Sequence, residues 1–263
     1  MNKTSKKKAN KNGEMSLSGH LKELRNRIIV VLVVLIVGMV ACFSYSDPIV
    51  GILTSIGTKC GYEFIQIRPQ EVLMVYFSMS LLCGFLIALP LTAYEVFAFC
   101  SPGMKKKEKR FLGLALTFGL LFFVFGVYFA YKITLPFMLG FLIKFGGETI
   151  VSAISIQEYV SFVLLVFVIF GVIFELPVIS VLLTGLGLIK PDWIIKARKP
   201  MIVVIFIIAA VITPPDIVSQ IMVAIPIVGL YELSILLSKF VYRLKRKKSD
   251  SDDEDDDDED EDE

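Results

Sequence analysis

Apolar residues in this chain come in long unbroken runs. Phe111–Tyr131 holds 21 residues without a charge and Val72–Tyr94 holds 23. A helix of about 20 such residues crosses the roughly 30 Å hydrocarbon core of a bilayer. The runs predict spans at 28–46, 71–98, 111–134, 158–186, 201–215 and 217–239, an all-α polytopic membrane protein with six transmembrane helices. Ahead of the first run the pattern changes. Leu17, Leu21, Leu24 and Ile28 recur at helical spacing among charges, which predicts an amphipathic helix lying at the interface before it enters the membrane. The last two runs are short. Met201–Thr213 is 13 residues, about 20 Å of helix, and Thr213-Pro214-Pro215-Asp216 joins it to the next. Two short spans and a re-entrant hairpin both fit this pattern. Pro90, Pro177 and Pro226 fall inside spans, where each removes a backbone hydrogen bond and predicts a kink.

The bases orient these spans. Lys and Arg number eight in residues 1–27, two in 47–70, five in 99–110, two around 132–144, four in 190–199 and six in 239–248. That alternation puts 23 on one side and four on the other, and the base-rich side is the cytoplasmic one. Both termini are therefore expected inside. Ile28–Phe43 has no small-residue cleavage site after it, so it reads as a span that stays and not as a signal peptide.

The composition is 55% hydrophobic with a mean hydropathy of +0.71, and the net charge of +1 conceals two opposed parts. From residue 250 onward there are 13 acids and no base, which leaves residues 1–249 at +14. The expected organisation is a Lys-rich cytoplasmic tail (1–16), a six-helix transmembrane domain (17–242), and a basic then polyacidic tail (243–263). The acidic tail has nothing to bury and is expected to be disordered.

No catalytic chemistry is legible. The one histidine, His20, reads as solvated or interfacial, and no phosphate-binding loop, HExxH or GxSxG is present. Cys42, Cys60, Cys83 and Cys100 show no CxxC spacing and read as small buried hydrophobes. Neither a metal nor a cofactor is expected. Acids at membrane depth are more informative. Glu175 has 16 uncharged residues before it and 14 after it, so its carboxyl must face protein or a wet cavity and not lipid. Glu232 and Glu95 lie nearer the cytoplasmic interface. Glu23 and Glu108 are acids set within basic cytoplasmic segments, where a carboxylate suits the guanidinium of a visiting peptide. A proton- or cation-coupled secondary transporter using Glu175 and Glu232 is the alternative. The repeats and paired broken helices common in that class are not visible.

Several motifs occur together and in order: His20-Leu-Lys-Glu-Leu-Arg25; Pro102-Gly-Met-Lys-Lys-Lys-Glu-Lys-Arg110; Ser161-Phe-Val-Leu164 followed by Phe174-Glu-Leu-Pro177; Thr213-Pro-Pro-Asp-Ile-Val-Ser-Gln220; and Ala224-Ile-Pro226. In this combination the chain resembles the TatC family, the signal-peptide receptor of the twin-arginine protein translocase, over about residues 17–242. The resemblance implies that Glu23, Arg25 and Glu108 bind the signal peptide, with Glu23 and Glu108 contacting its paired arginines. It implies that Glu175 is a polar group in a concave, glove-like face, and that the last two runs are short spans beside a thinned membrane. It implies that the turn residues Thr213, Pro214, Pro215, Asp216 and Gln220 face the outside and partner subunits. It also implies a bacterial cytoplasmic membrane, single-span partners of the TatA/TatB type, homo- and hetero-oligomers, energy from the proton gradient, and no nucleic acid among the partners.

Overall fold

A computed structural model describes residues 17–146, 153–213 and 216–257. Ten α-helices dominate it: α1 (Leu17–Phe43), α2 (Ser46–Cys60), α3 (Glu71–Cys100), α4 (Lys106–Phe129), α5 (Leu135–Gly146), α6 (Ile156–Phe174), α7 (Leu176–Leu186), α8 (Pro191–Lys196), α9 (Arg198–Ile212) and α10 (Ile217–Asp257). Among the described residues five helical stretches are long and apolar enough to cross a membrane: Gly19–Phe43, Glu71–Gly103, Lys106–Lys144, Ile156–Leu186 and Ile217–Arg246. Their outward faces carry large apolar side chains, such as Ile36, Val37 and Val40 on α1 and Leu121, Val124 and Phe125 on α4. In water such faces are an aggregation hazard; in a bilayer they are solvated by acyl chains.

The span expected at 201–215 is α9, a helix of only 15 residues, about 22 Å long. Its Arg198 pairs with Glu232 of α10 at 2.8 Å, and its Phe206 carbonyl accepts from Gln220 Nε2 at 2.9 Å. α9 therefore lies antiparallel beside the first half of α10, and α10 runs on well past the level at which α9 begins.

The membrane-depth core centres on α6. Val160, Val163, Val166 and Phe170 are buried on successive turns, and Phe170 and Phe174 pack against Phe129 of α4. Because lipid is as apolar as a leucine side chain, helix association here depends on close packing more than on the hydrophobic effect. Glycines allow that approach. A methyl group at Gly84 of α3 would sit 2.6 Å from the Met39 backbone nitrogen and 2.9 Å from the Leu35 carbonyl oxygen of α1. Backbone atoms cannot move aside, so Gly84→Val is expected to lower thermal stability in detergent by about 1–3 kcal/mol. Gly140→Ala, where no atom comes within 4 Å of the added carbon, is the control expected to melt like wild type.

Several expectations from the sequence are corrected here. The fold is not wholly helical: β1 (Glu63–Ile65) pairs in parallel with β2 (Ala153–Ser155). The 47–70 region, read as a loop, contains α2. That helix turns Val50, Leu53, Ile56 and Gly57 inward and ends at Gly61, whose φ of +102° is the left-handed conformation glycine adopts without strain. Glu71, buried at the start of α3, accepts from the Ile67 backbone at 3.2 Å and the Ser155 hydroxyl at 3.0 Å. The Tyr159 hydroxyl donates to the Leu53 carbonyl at 2.8 Å. Together these bonds tie α2, both strands and the start of α6 into one cap.

The third run does not stop at 134. A five-residue π-helical segment, Ala130–Thr134, carries it into α5. The fourth run is broken between α6 and α7, with Glu175 at the junction and Pro177 in the first turn of α7, where the missing N–H costs nothing. By contrast α3 and α10 remain helical through Pro90 and Pro226. Beyond the membrane α10 runs as one continuous helix as far as Asp257. Extending an existing helix fixes one residue per hydrogen bond gained, whereas starting one does not. The Lys-rich segment 1–16, the last residues of the acidic tail, and Pro214 and Pro215 lie outside the described residues.

Candidate functional site: a guanidinium grip and a basic cavity

α1 and α3 run antiparallel. His20 stacks on Phe99 with ring centroids 4.1 Å apart, which aligns the polar ends of the two helices. Two turns further along α1, Arg27 faces two carboxylates. Its Nη2 and Nε donate to Glu23 Oε1 at 2.6 and 3.1 Å, and its Nη1 donates to Glu95 Oε2 at 2.6 Å. Glu23 and Arg27 are four residues apart, the spacing that lets opposite charges meet on a helix. Glu95 comes from a helix 68 positions later. The cluster holds two acids and one base, so it retains a formal charge of −1. It lines an open cavity of about 430 Å³ together with Gly19, Lys22, Asn26 and Val30.

The signal-peptide candidates do not share one pocket. Glu23 belongs to the cluster just described. Arg25 is exposed on the same helix, with a long 3.4 Å contact to its neighbour Asn26. Glu108 sits in the first turn of α4, half-buried, where its Oε2 accepts the Lys105 backbone N–H at 2.9 Å. An acid there is favoured by the unpaired N–H groups of the helix start. It lines a different cavity, of about 790 Å³, with Lys105, Lys106, Lys107 and Lys245 around it. Glu95, read from the sequence as an interfacial side chain, turns out to be half of the grip on Arg27.

Glu175 lies where α6 gives way to α7, and its carboxylate rests on Gly119 of α4. A methyl group at Gly119 would meet Glu175 Oε2 at 2.9 Å and Oε1 at 3.4 Å. Gly119 is thus the residue that makes room for the half-buried acid, and its role is not visible in the linear pattern. Glu232 is bound by Arg198, so it is not an unengaged carboxyl. The turn residues divide by role. Asp216 caps α10, accepting from the Ser219 hydroxyl and from the Ser219 backbone N–H at 2.7 Å. Those bonds hold its carboxyl below the ordinary carboxylate range. Thr213 is buried and donates to the Ala209 carbonyl at 2.9 Å. Gln220 binds across to α9. Three of the turn residues therefore build the hairpin. Among the described residues no group of three or more His, Cys, Asp or Glu is placed to hold a metal ion.

Comparison with known proteins bears on all of this. The family model described as TatC, Sec-independent protein translocase protein, matches residues 19–226. The Sec-independent protein translocase protein TatC of Helicobacter pylori (strain ATCC 700392 / 26695) is 39% identical over 227 residues, which cover 86% of this chain and 88% of that one. The protein of the same name from Carboxydothermus hydrogenoformans is 33% identical over 228 residues, covering 86% and 94%. A crystal structure of the twin arginine translocase receptor TatC superposes with a TM-score of 0.76 at 36% identity, covering 84% of this chain and 99% of that chain.

Proposed function

The chain belongs to the TatC family of Sec-independent protein translocase proteins, and from that premise we propose that it is the receptor subunit of a twin-arginine translocase. It binds the paired arginines of signal peptides on folded proteins. It assembles with single-span partner subunits of the TatA/TatB type in a bacterial cytoplasmic membrane, and the proton gradient drives the export. It acts by binding and scaffolding, not as an enzyme. The observation that carries this reading is the guanidinium held between Glu23 and Glu95. A surface that already grips one arginine between two carboxylates has the chemistry to grip another. Glu108, four residues into a basic segment, supplies the second carboxylate, and Arg25 borders the first.

The reading places both termini and the arginine grip inside, with α9 and the first half of α10 as short spans beside a thinned bilayer. Impermeant thiol labelling of intact cells tests that orientation, in a background lacking the four native cysteines. A cysteine at Ser55, on α2, is expected to label from outside, and one at Lys106 is not. Outside labelling at 106 would put the grip on the wrong side for a receptor of proteins folded in the cytoplasm.

A further inference from the structure

The cavity around Glu108 has a second part. Its mouth is ringed by Lys105, Lys106, Lys107 and Lys245, four bases against the one acid. α4 begins at Lys106, so its unpaired first-turn N–H groups add positive potential at the same place. Lys245 is held at the rim by donating to the Gly185 carbonyl of α7 at 3.2 Å. Beneath the mouth, Phe111 and Val241 line both this cavity and a second one of about 390 Å³ between α4, α7 and α10. Every side chain lining that second slot is apolar, including Leu114, Phe118, Phe122, Val178, Val181 and Leu237.

The slot runs along α4 from Phe111 to Phe122, about 16 Å of helix, which is half the thickness of a hydrocarbon core. That depth is one leaflet. An extended peptide in a wholly apolar slot would leave its N–H and C=O groups unpaired, and a helix, which pairs its own, is about 10 Å across. An acyl chain has none to pair. We propose that the groove between α4, α7 and α10 is a site for one anionic phospholipid of the leaflet on the basic side. Its phosphate lies among Lys105, Lys106, Lys107 and Lys245, and an acyl chain fills the slot below. The phosphate would lie in the cavity that Glu108 also lines, and its binding requires no signal peptide.

Native mass spectrometry of the delipidated full-length protein tests it, with phosphatidylglycerol, phosphatidylcholine and water-soluble glycerol 1-phosphate as probes. Phosphatidylglycerol is expected to bind at least tenfold more tightly than phosphatidylcholine, with no measurable glycerol phosphate bound. Each lysine beside an anionic lipid is worth about fivefold in affinity. The double variant Lys106→Gln/Lys245→Gln is therefore expected to lose twentyfold or more for phosphatidylglycerol and little for phosphatidylcholine. Leu114→Trp adds bulk in the slot from an exposed position, so it should melt like wild type and lose tenfold or more. Equal binding of the two lipids, or glycerol phosphate binding as strong as phosphatidylglycerol, overturns the proposal. So does unchanged phosphatidylglycerol binding by a folded Leu114→Trp protein.

Discussion

Glu23→Lys and Glu108→Lys are each expected to weaken binding of a twin-arginine signal peptide by tenfold or more while leaving the protein in the membrane. A charge-assisted bond between guanidinium and carboxylate contributes about 1.5–3 kcal/mol, and about 1.4 kcal/mol is a factor of ten in affinity. Reversing the charge adds repulsion. Because Glu23 also receives two bonds from Arg27, its lysine variant crowds two cations beside Glu95. Glu23→Gln separates the effects: it keeps an acceptor for Arg27, should melt like wild type, and should still bind the peptide poorly. Glu108 has less structure to disturb, since its bond is to the backbone of its own helix start. If the lysine variants, present and folded at wild-type levels, bind the peptide as wild type does, these two contact roles are wrong.

The second large effect is expected at Glu175. Its carboxylate rests on Gly119 where α6 gives way to α7, at a depth where a charge costs a few kcal/mol unless protein or water receives it. We expect the notch to hold part of a partner helix or of the inserted signal peptide. Glu175→Leu should then be stable and inactive, because it removes the polarity that the visitor meets. Glu175→Gln keeps shape and hydrogen bonding and should retain part of the activity. Gly119→Ala, whose methyl group would press on the carboxylate at 2.9 Å, should displace the acid and reduce export while Glu175 remains present. Thermal stability in detergent, measured beside export of a folded reporter, distinguishes these outcomes. A stable Glu175→Leu protein that exports normally would make the residue a packing detail.

Much of this molecule was legible in the sequence, and the failures have physical causes. Spans are legible because crossing a bilayer requires about 20 apolar residues in one piece, and 71–98 and 158–186 fall almost where α3 and the α6–α7 pair do. α2 was missed because Asp47, Thr54, Ser55, Thr58 and Lys59 break up its apolar content. The inward spacing of Val50, Leu53, Ile56 and Gly57 was the available signal. The strands are three residues each, and their pairing joins positions 90 apart, which no local pattern carries. Pro90, Pro177 and Pro226 each announced a kink; at Pro177 one helix gives way to the next, whereas α3 and α10 stay helical through Pro90 and Pro226. At the site, Glu23, Glu108 and Glu175 stood out as acids in the wrong surroundings. Glu95 did not, because its meaning depends on an arginine from another helix. Gly119 did not, because a glycine that clears space for a distant carboxylate looks like any other.

Both large predictions rest on the claim that this chain recognises paired arginines. The most direct measurement is binding of a fluorescent twin-arginine signal peptide to the purified wild-type protein in nanodiscs, beside the same peptide with both arginines replaced by lysine. Lysine keeps the charge but lacks the planar fork that pairs with a carboxylate through two bonds, so only a site built for guanidinium separates the two. The account predicts saturable binding of the arginine peptide at least tenfold tighter than that of the lysine peptide. Equal affinity for the two would contradict it.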